Sequence, residues 1–402
     1  MDNLDETIKN MEPEIVNIML EIIAKKAISP DAGGSGELER ANYLHKLLEE
    51  IGVDKIERFD TTDKHNVIRP NILAILYGKG RERTLWIVTH TDTVPEGDIT
   101  LWNTDPFIGV YRDRKIYGRG SVDNIQAIIT ALFTLKILKK LGIVPKYNLG
   151  LMFLADEEVG SKYGVVYVLK NRNFSKDDLF YVPDAGNAEG DEIEIAEKSI
   201  LWVKIKVNGK QSHGSRPDLG LNANRIAMQL NNEIDRELHK KFAGIDSLFS
   251  PEYSTFEPTK RDKNVDNINT VPGTDVSYFD CRILPIYSVN EVLKVFESKV
   301  NKFKKKYNLT IDTEIIQRTE TPYPTQKKSE VVQNLLKALK EKRKIDGKVI
   351  GVGGGTCAAF LRANGNQAVV WGTFDHVEHM PNEYCRIENI EKDLLVYLNL
   401  LQ

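Results

Sequence analysis

Two neighbouring acids, Glu157 and Glu158, close the apolar run MFLADEEVG. Adjacent carboxylates are costly to bury unless a cation lies between them. Other candidate donors are spread along the chain. His90 and Asp92 end a second apolar run as H-x-D, Asp123 follows the turn Gly118-Arg119-Gly120, Asp184 closes LFYVPDAG, and His379 lies in HMPNE. Mixed imidazole and carboxylate donors suit a pair of divalent ions, and a carboxylate left over suits proton transfer from a water whose pKa those ions lower. In an extended H-x-D segment both side chains share a face, so Asp92 can hold the His90 ring nitrogen that faces away from a metal. For the Glu157–Glu158 pair, one acid can bind metal while the other takes the proton.

Each residue also has a plainer explanation. A lone histidine such as His90 is more often a core or surface residue than a ligand. Asp123 fits a helix N-cap or first-turn acid. An EE pair is usually a solvated loop. His376 reads as a polar loop residue, and the basic run Lys302–Lys306 as a solvated helical face. His213, in QSHGSRPDLGLNAN, can donate to an oxyanion or cap the helix that follows. Arg282, in DCRILP, can grip a carboxylate through two parallel bonds or sit on a strand surface. The run Gly353-Gly354-Gly355-Thr356 lacks the lysine of a phosphate loop, which argues against a phosphate-binding α/β enzyme.

The elements that must position these residues alternate. Helical spacing runs over 14–27 and 37–51, and strands over 71–78 and 83–92. A helix follows over 123–141, then strands over 147–158 and 179–186. This order predicts an α/β sheet, whose ligands bind beyond the carboxyl ends of the strands. His90, Asp92, Glu157, Glu158 and Asp184 all fall at such ends. From 199 the pattern changes to a strand (199–209), a helix (221–241), a strand (276–285), a helix (289–307) and a strand (309–318), a small α+β domain. Helix (329–344) and strand (369–374) then return. The predicted organisation is a catalytic α/β/α domain from residues 1–197 and 319–402, with a mixed, mostly parallel sheet. Residues 198–318 form an inserted, ferredoxin-like domain.

Composition is consistent with this. A chain of 402 residues exceeds one ordinary core. With 41% hydrophobic and 28% charged residues it reads as a soluble globular protein, and a net charge of −3 gives no global field to select nucleic acid or a membrane surface. Cys281, Cys357 and Cys385 are too few and too scattered for a disulfide framework. No run was expected to approach the ~20 apolar residues of a membrane span. The N-terminus is acidic and amphipathic, unlike a signal peptide. A cytoplasmic protein is expected.

Taken in order, the segments THTDTVPEGD, Trp102 to Phe107, YGRGSVDN, ADEEVGS, PDAG, SHGSRPDLGLNA, NTVPG, DCRILP, GGGT and HMPNE resemble one family. It is that of the zinc metallopeptidases and amidohydrolases typified by glutamate carboxypeptidase, aminoacylase-1, acetylornithine deacetylase and succinyl-diaminopimelate desuccinylase. The resemblance implies two divalent ions, zinc first with cobalt or manganese as alternatives. It implies His90, Asp123, Glu158, Asp184 and His379 as ligands, with Asp123 bridging. Glu157 would be general base and then general acid, and Asp92 would orient His90. His213, Asn269, Arg282, Gly355 and Thr356 fall on positions that contact the substrate, an N-acyl amino acid or small peptide. The inserted domain would serve as lid and dimerisation surface of a homodimer, with no nucleic acid or membrane partner. The chain departs from the family at Asn124-Ile125-Gln126, where Met-Lys-Gly is common after the bridging acid. The alternative is a non-catalytic relative that binds an amino acid or peptide.

Overall fold

The structure, a computed structural model, describes residues 2–402. Its chain forms two compact units. The first comprises residues up to Ile195, 325–350 and 356–402, and the second 196–324 with 351–355. The breaks were expected near 197 and 318. The segment 351–355 belongs with the second unit because Gly351 N–H bonds to Leu248 O (2.7 Å) and Lys198 N–H to Val352 O (2.9 Å).

The first unit is built on an eight-stranded sheet. Its order is Lys55–Arg58, Ile72–Leu76, Tyr147–Leu154, Gly80–His90, Leu179–Val182, Gln367–Val370, Glu192–Glu197 and Lys348–Val352. The centre is parallel: Gly80–His90 pairs in parallel with both Tyr147–Leu154 and Leu179–Val182, which pairs in parallel with Gln367–Val370. Antiparallel pairings flank it, so the sheet is mixed, with a parallel middle. Tyr147–Leu154 is buried along its whole length, as expected for a strand covered on both faces. Gly150 is needed there, because a Cβ would come within 2.2 Å of the Trp86 ring. Trp86 in turn packs on Phe174 and Phe180.

The helix Gln126–Leu141 packs against this sheet and against the helices Glu12–Ala24 and Ile387–Leu400. Contrary to expectation, Ser121–Leu141 is long and apolar enough by composition to cross a membrane. It is nevertheless almost wholly buried within the protein, as a core helix would be. The helix begins at Gln126, later than predicted. Asp123 has non-helical angles (φ −117°, ψ 91°), so it is not a first-turn residue of that helix. Likewise, the strand before Glu157 ends at Leu154, and the two acids ride on a single tight turn, Glu157–Val159.

The second unit is a four-stranded antiparallel sheet in the order Thr255–Arg261, Thr274–Ile283, Ser199–Asn208, Thr310–Thr319. Its two helices are Ala223–Lys241 and Val289–Tyr307. Inward residues Leu201, Val203, Ile205, Phe279 and Cys281 alternate along the strands and meet Leu230, Ile234, Phe296 and Val300 of the helices. The order is therefore β-α-β-β-α-β, with one strand more than the sequence pattern suggests. Thr255–Arg261 was missed because five of its seven residues are exposed and it carries Pro258. The basic run lies near the C-terminal end of Val289–Tyr307, where Lys302 pairs with Glu233 at 2.7 Å and Phe303 faces the core. The three cysteines are buried and unbridged.

Candidate metal centre

His90 is the last residue of a central parallel strand, and Leu154 ends its neighbour. Asp184 follows the next strand by two residues. Parallel strands that stop together deliver these groups to one edge of the first unit. Asp123 comes to the same edge from the turn that precedes the buried helix. Gly120 has φ 82°, and a Cβ there would lie 2.5 Å from Thr93 Cγ2, so only glycine suits that turn.

The side chains converge on Asp123. Its Oδ1 lies 2.8 Å from His90 Nε2, and its Oδ2 3.1 Å from His379 Nε2. Asp184 Oδ1 is 3.2 Å from His90 Nε2, and Glu158 Oε2 is 3.2 Å from His379 Nε2. Two triads thus share one carboxylate: His90–Asp123–Asp184 and His379–Asp123–Glu158. Glu157 lies beside the first, with ligand-type atoms of His90, Glu157 and Asp184 all within 4.8 Å of one another. All five residues predicted as metal ligands, and the predicted base, are therefore together in one unit.

The donor set fits metal. Around one zinc, ligand atoms at ~2.0–2.2 Å from the ion lie roughly 3–3.5 Å apart, close to the spacings found here. Glu158 Oε1 is buried with no hydrogen-bond partner, an orphan that a cation would satisfy. His90 directs Nε2 into the cluster and Nδ1 toward Asp92 Oδ1 at 3.3 Å, a long contact without good hydrogen-bond alignment. Asp92 has a second task. Its Oδ1 and Oδ2 accept the backbone N–H groups of Glu157 and Glu158, each at 3.0 Å. One buried carboxylate thereby faces the His90 ring and fixes the turn that carries both glutamates.

Two buried networks missed at the sequence level support this edge. Arg69 donates through Nε to Glu37 (2.8 Å) and reaches Asp156 Oδ1 (3.1 Å), the residue before Glu157. Glu383 accepts backbone N–H groups from Gly120, Val122 and Asp123. Asn124, at the departure from the family pattern, donates Nδ2 to Asp184 Oδ1 (2.6 Å) and to Pro183 O. Arg69 could have been suspected as a charge at the mouth of the apolar run NILAILYG, and Glu383 as the acid of HMPNE.

The crowding of acids shows in their titration. Burial and Asp184 push Glu157 well above the usual carboxylate range. Burial and Asp123 push Glu158 up to about 7. Burial raises Asp184 too, against the pull of His90. Burial would also raise Asp123, but hydrogen bonds from His379 and His90 outweigh it and hold that carboxyl low. Hydrogen bonds to Asp123 and Glu158 raise His379 to about 10. Burial would lower His90, yet Asp184 and Asp123 carry it well above its ordinary value.

The remaining predicted residues fall elsewhere. His213 and Asn269 lie together in the second unit, where His213 is in register with Thr270 and Gly214 N–H bonds to Asn269 O at 2.6 Å. His213 Nδ1 is 2.7 Å from Ser215 Oγ. Arg282 is held by Asp280 through Nε and Nη2 (2.7 and 3.0 Å) and donates Nη1 to Gly353 O (3.0 Å). Gly355 belongs to that unit and Thr356 to the first. Thr356 caps the helix Cys357–Ala363, accepting from Ala358 N–H at 3.1 Å. His376 is exposed, 3.6 Å from Glu378.

Comparison with known proteins agrees with this geometry. Residues 86–402 match Peptidase family M20/M25/M40. The chain is 43% identical, over 100% of both sequences, to an uncharacterized metallohydrolase of Methanocaldococcus jannaschii. It is 26% identical to a succinyl-diaminopimelate desuccinylase of Orientia tsutsugamushi, covering 96% of this chain and 95% of that one. Its fold is similar to that of an M20 family metallo-carboxypeptidase from Sulfolobus solfataricus, with TM-score 0.76, 23% identity and coverage of 96% and 98%. It is also similar to that of human carnosine dipeptidase 1, with TM-score 0.75, 17% identity and coverage of 100% and 98%. With its ligand-type side chains gathered at one sheet edge, the chain belongs to peptidase family M20/M25/M40 and is a metallohydrolase.

Proposed function

We propose that this protein hydrolyses the amide bond of small N-acyl amino acids or peptides with two divalent ions, zinc foremost. The observation that carries the reading is the pair of triads sharing Asp123, with Glu157 left over beside them. His90 and Asp184 would hold one ion, Glu158 and His379 the other, and Asp123 both. Five carboxylates (Asp92, Asp123, Glu157, Glu158, Asp184) carry −5 when ionised, and two divalent ions would supply +4. When bound, the ions would polarise the scissile carbonyl and make a water acidic.

The chain's own groups do the rest. Glu157 accepts the proton of the attacking water and passes it to the departing amine nitrogen. Asp92 holds the glutamate turn in place and keeps the His90 ring oriented. In this reading His213 donates to the oxyanion, and Arg282, Asn269, Gly355 and Thr356 contact the substrate and its carboxylate. The second unit serves as lid and homodimer surface. The three unbridged cysteines suit a cytoplasmic setting.

The test is metal content by elemental analysis, followed by a hydrolysis screen of N-succinyl and N-acetyl amino acids and dipeptides. Activity abolished by chelator and restored by zinc is expected. Two ions per chain with no turnover in either substrate class would favour a binding protein. A chain that takes up no divalent ion would end the proposal.

A further inference from the structure

Asp123 and His379 both sit on irregular backbone: Asp123 is non-helical, and His379 has φ 60°. Asp123 interrupts the short segment Ser121–Ile125 with its non-helical angles, and His379 lies outside any strand or helix. What fastens them is a buried ion pair. Glu383 Oε2 accepts from Arg119 Nη1 (2.7 Å) and Gly120 N–H (2.9 Å), and its Oε1 from Val122 N–H (2.9 Å) and Asp123 N–H (3.1 Å). The same guanidinium reaches the His379 carbonyl through Nη2 and the Met380 carbonyl through Nη1, both at 3.4 Å. Its Nη2 also reaches Glu96 O at 3.4 Å, and its face covers the Trp102 ring. Arg119 is 2% exposed and Glu383 1%. One residue of the pair grips the Asp123 turn and the other the His379 loop. The opposite half of the centre shares Asp123 with this one, but neither His90 nor Asp184 touches the pair. His90 ends a strand beside Asp92, and Asp184 takes its hydrogen bond from Asn124.

We propose that Arg119 and Glu383 are positioning residues that preassemble the His379 half of the metal centre. Their loss weakens the ion assigned to Glu158 and His379 more than the ion assigned to His90 and Asp184, which depends on the pair through Asp123 alone. This rests on the two-ion reading above. A supporting carboxylate or guanidinium of this kind is typically worth about 10–100-fold in metal affinity.

The test is equilibrium titration of chelator-stripped protein with zinc against a chromophoric competitor, and with cobalt by its visible absorption spectrum. The proteins are wild type, Glu383→Gln, Arg119→Lys, Arg119→Met and His379→Ala. Thermal unfolding in chelator reports on the fold separately. Wild type is expected to show two sites. In Glu383→Gln and Arg119→Met one site should weaken by about 10–100-fold, while the other, which shares Asp123, should weaken distinctly less. The cobalt spectrum of the surviving site should match that in His379→Ala. Arg119→Lys, which keeps the charge beside Glu383, should recover part of the loss. It carries the same comparison if Glu383→Gln does not fold. Two unchanged sites in both Glu383→Gln and Arg119→Met, or equal weakening of both sites, would overturn the inference. A wild type with fewer than two sites would instead overturn the two-ion reading.

Discussion

His90 and His379 each set one ring nitrogen against Asp123, at 2.8 and 3.1 Å, yet they are held in opposite ways. The His90 side chain is 2% exposed, ends a strand in the middle of the sheet, and faces Asp92 with its second nitrogen. The His379 side chain is 52% exposed, on a loop gripped through its backbone carbonyl. One half of the centre is fixed by packing of side chains, the other by a clamp on main chain. Loss of a ligand on the packed side strands buried carboxylates. Loss on the looped side removes a half-exposed imidazole and lets water reach the carboxylates it faced, which costs less.

The largest effect expected falls on neither half. Glu157→Ala should leave both ions bound and lower kcat by about 10³-fold or more, the upper part of the range for a general acid–base group. Elemental analysis beside steady-state kinetics checks this, and retained turnover would remove Glu157 from the mechanism. The contrast between halves is sharpest in stability. We expect His90→Ala to cost about 3 kcal/mol in chelator-treated protein, since it leaves Asp184 without its imidazole partner, whereas His379→Ala should cost under about 1 kcal/mol. Urea titrations read both, and equal costs would erase the distinction drawn here. Asp92→Asn keeps the shape of the packed side but removes its charge. A drop of about 10–100-fold in metal affinity is expected at the His90 site, with a smaller loss at the other, whose Glu158 sits on the turn that Asp92 holds.

The smallest effect is a control from outside the centre. Asp393 is as buried as His90 but is satisfied by Thr373, whose N–H and hydroxyl both donate to it. Burial pushes its carboxyl up from 3.8 to about 6, against those hydrogen bonds. A folded value above the unfolded one means the native state holds the proton more tightly. The stability it adds is full below 3.8 and is lost as pH rises through about 6. Between pH 4 and 6, the stability of wild type relative to Asp393→Asn should therefore fall with rising pH, as measured by urea unfolding. A flat difference would show that Asp393 does not titrate there.

Most of the residues that gather around Asp123 were legible as chemically odd residues at the ends of apolar runs. His90, Glu157, Glu158 and Asp184 stand where strand periodicity stops, and the ordered motifs added His379 and Asp123. What holds those residues was not legible. Glu383 contacts Gly120, and Arg69 contacts Glu37, across long stretches of chain that no local pattern links. The same long-range contact holds the turn before the buried helix, where Asp123 has non-helical angles and gives its N–H to Glu383. In the second unit the missed strand Thr255–Arg261 is charged and interrupted by a proline, and its pairing with Thr274–Ile283 supplies what its own sequence does not.

Chain order has a consequence for how the protein is made. His90, Asp123, Glu158 and Asp184 all precede Ile195, whereas His379 and Glu383 come only after the second unit. On the ribosome, where domains fold from the N-terminus onward, four donors emerge well before the fifth. A chain released short of His379 would carry four of the five donors and lack both His379 and the Glu383 that holds the Asp123 turn. Full loading is thereby tied to complete synthesis.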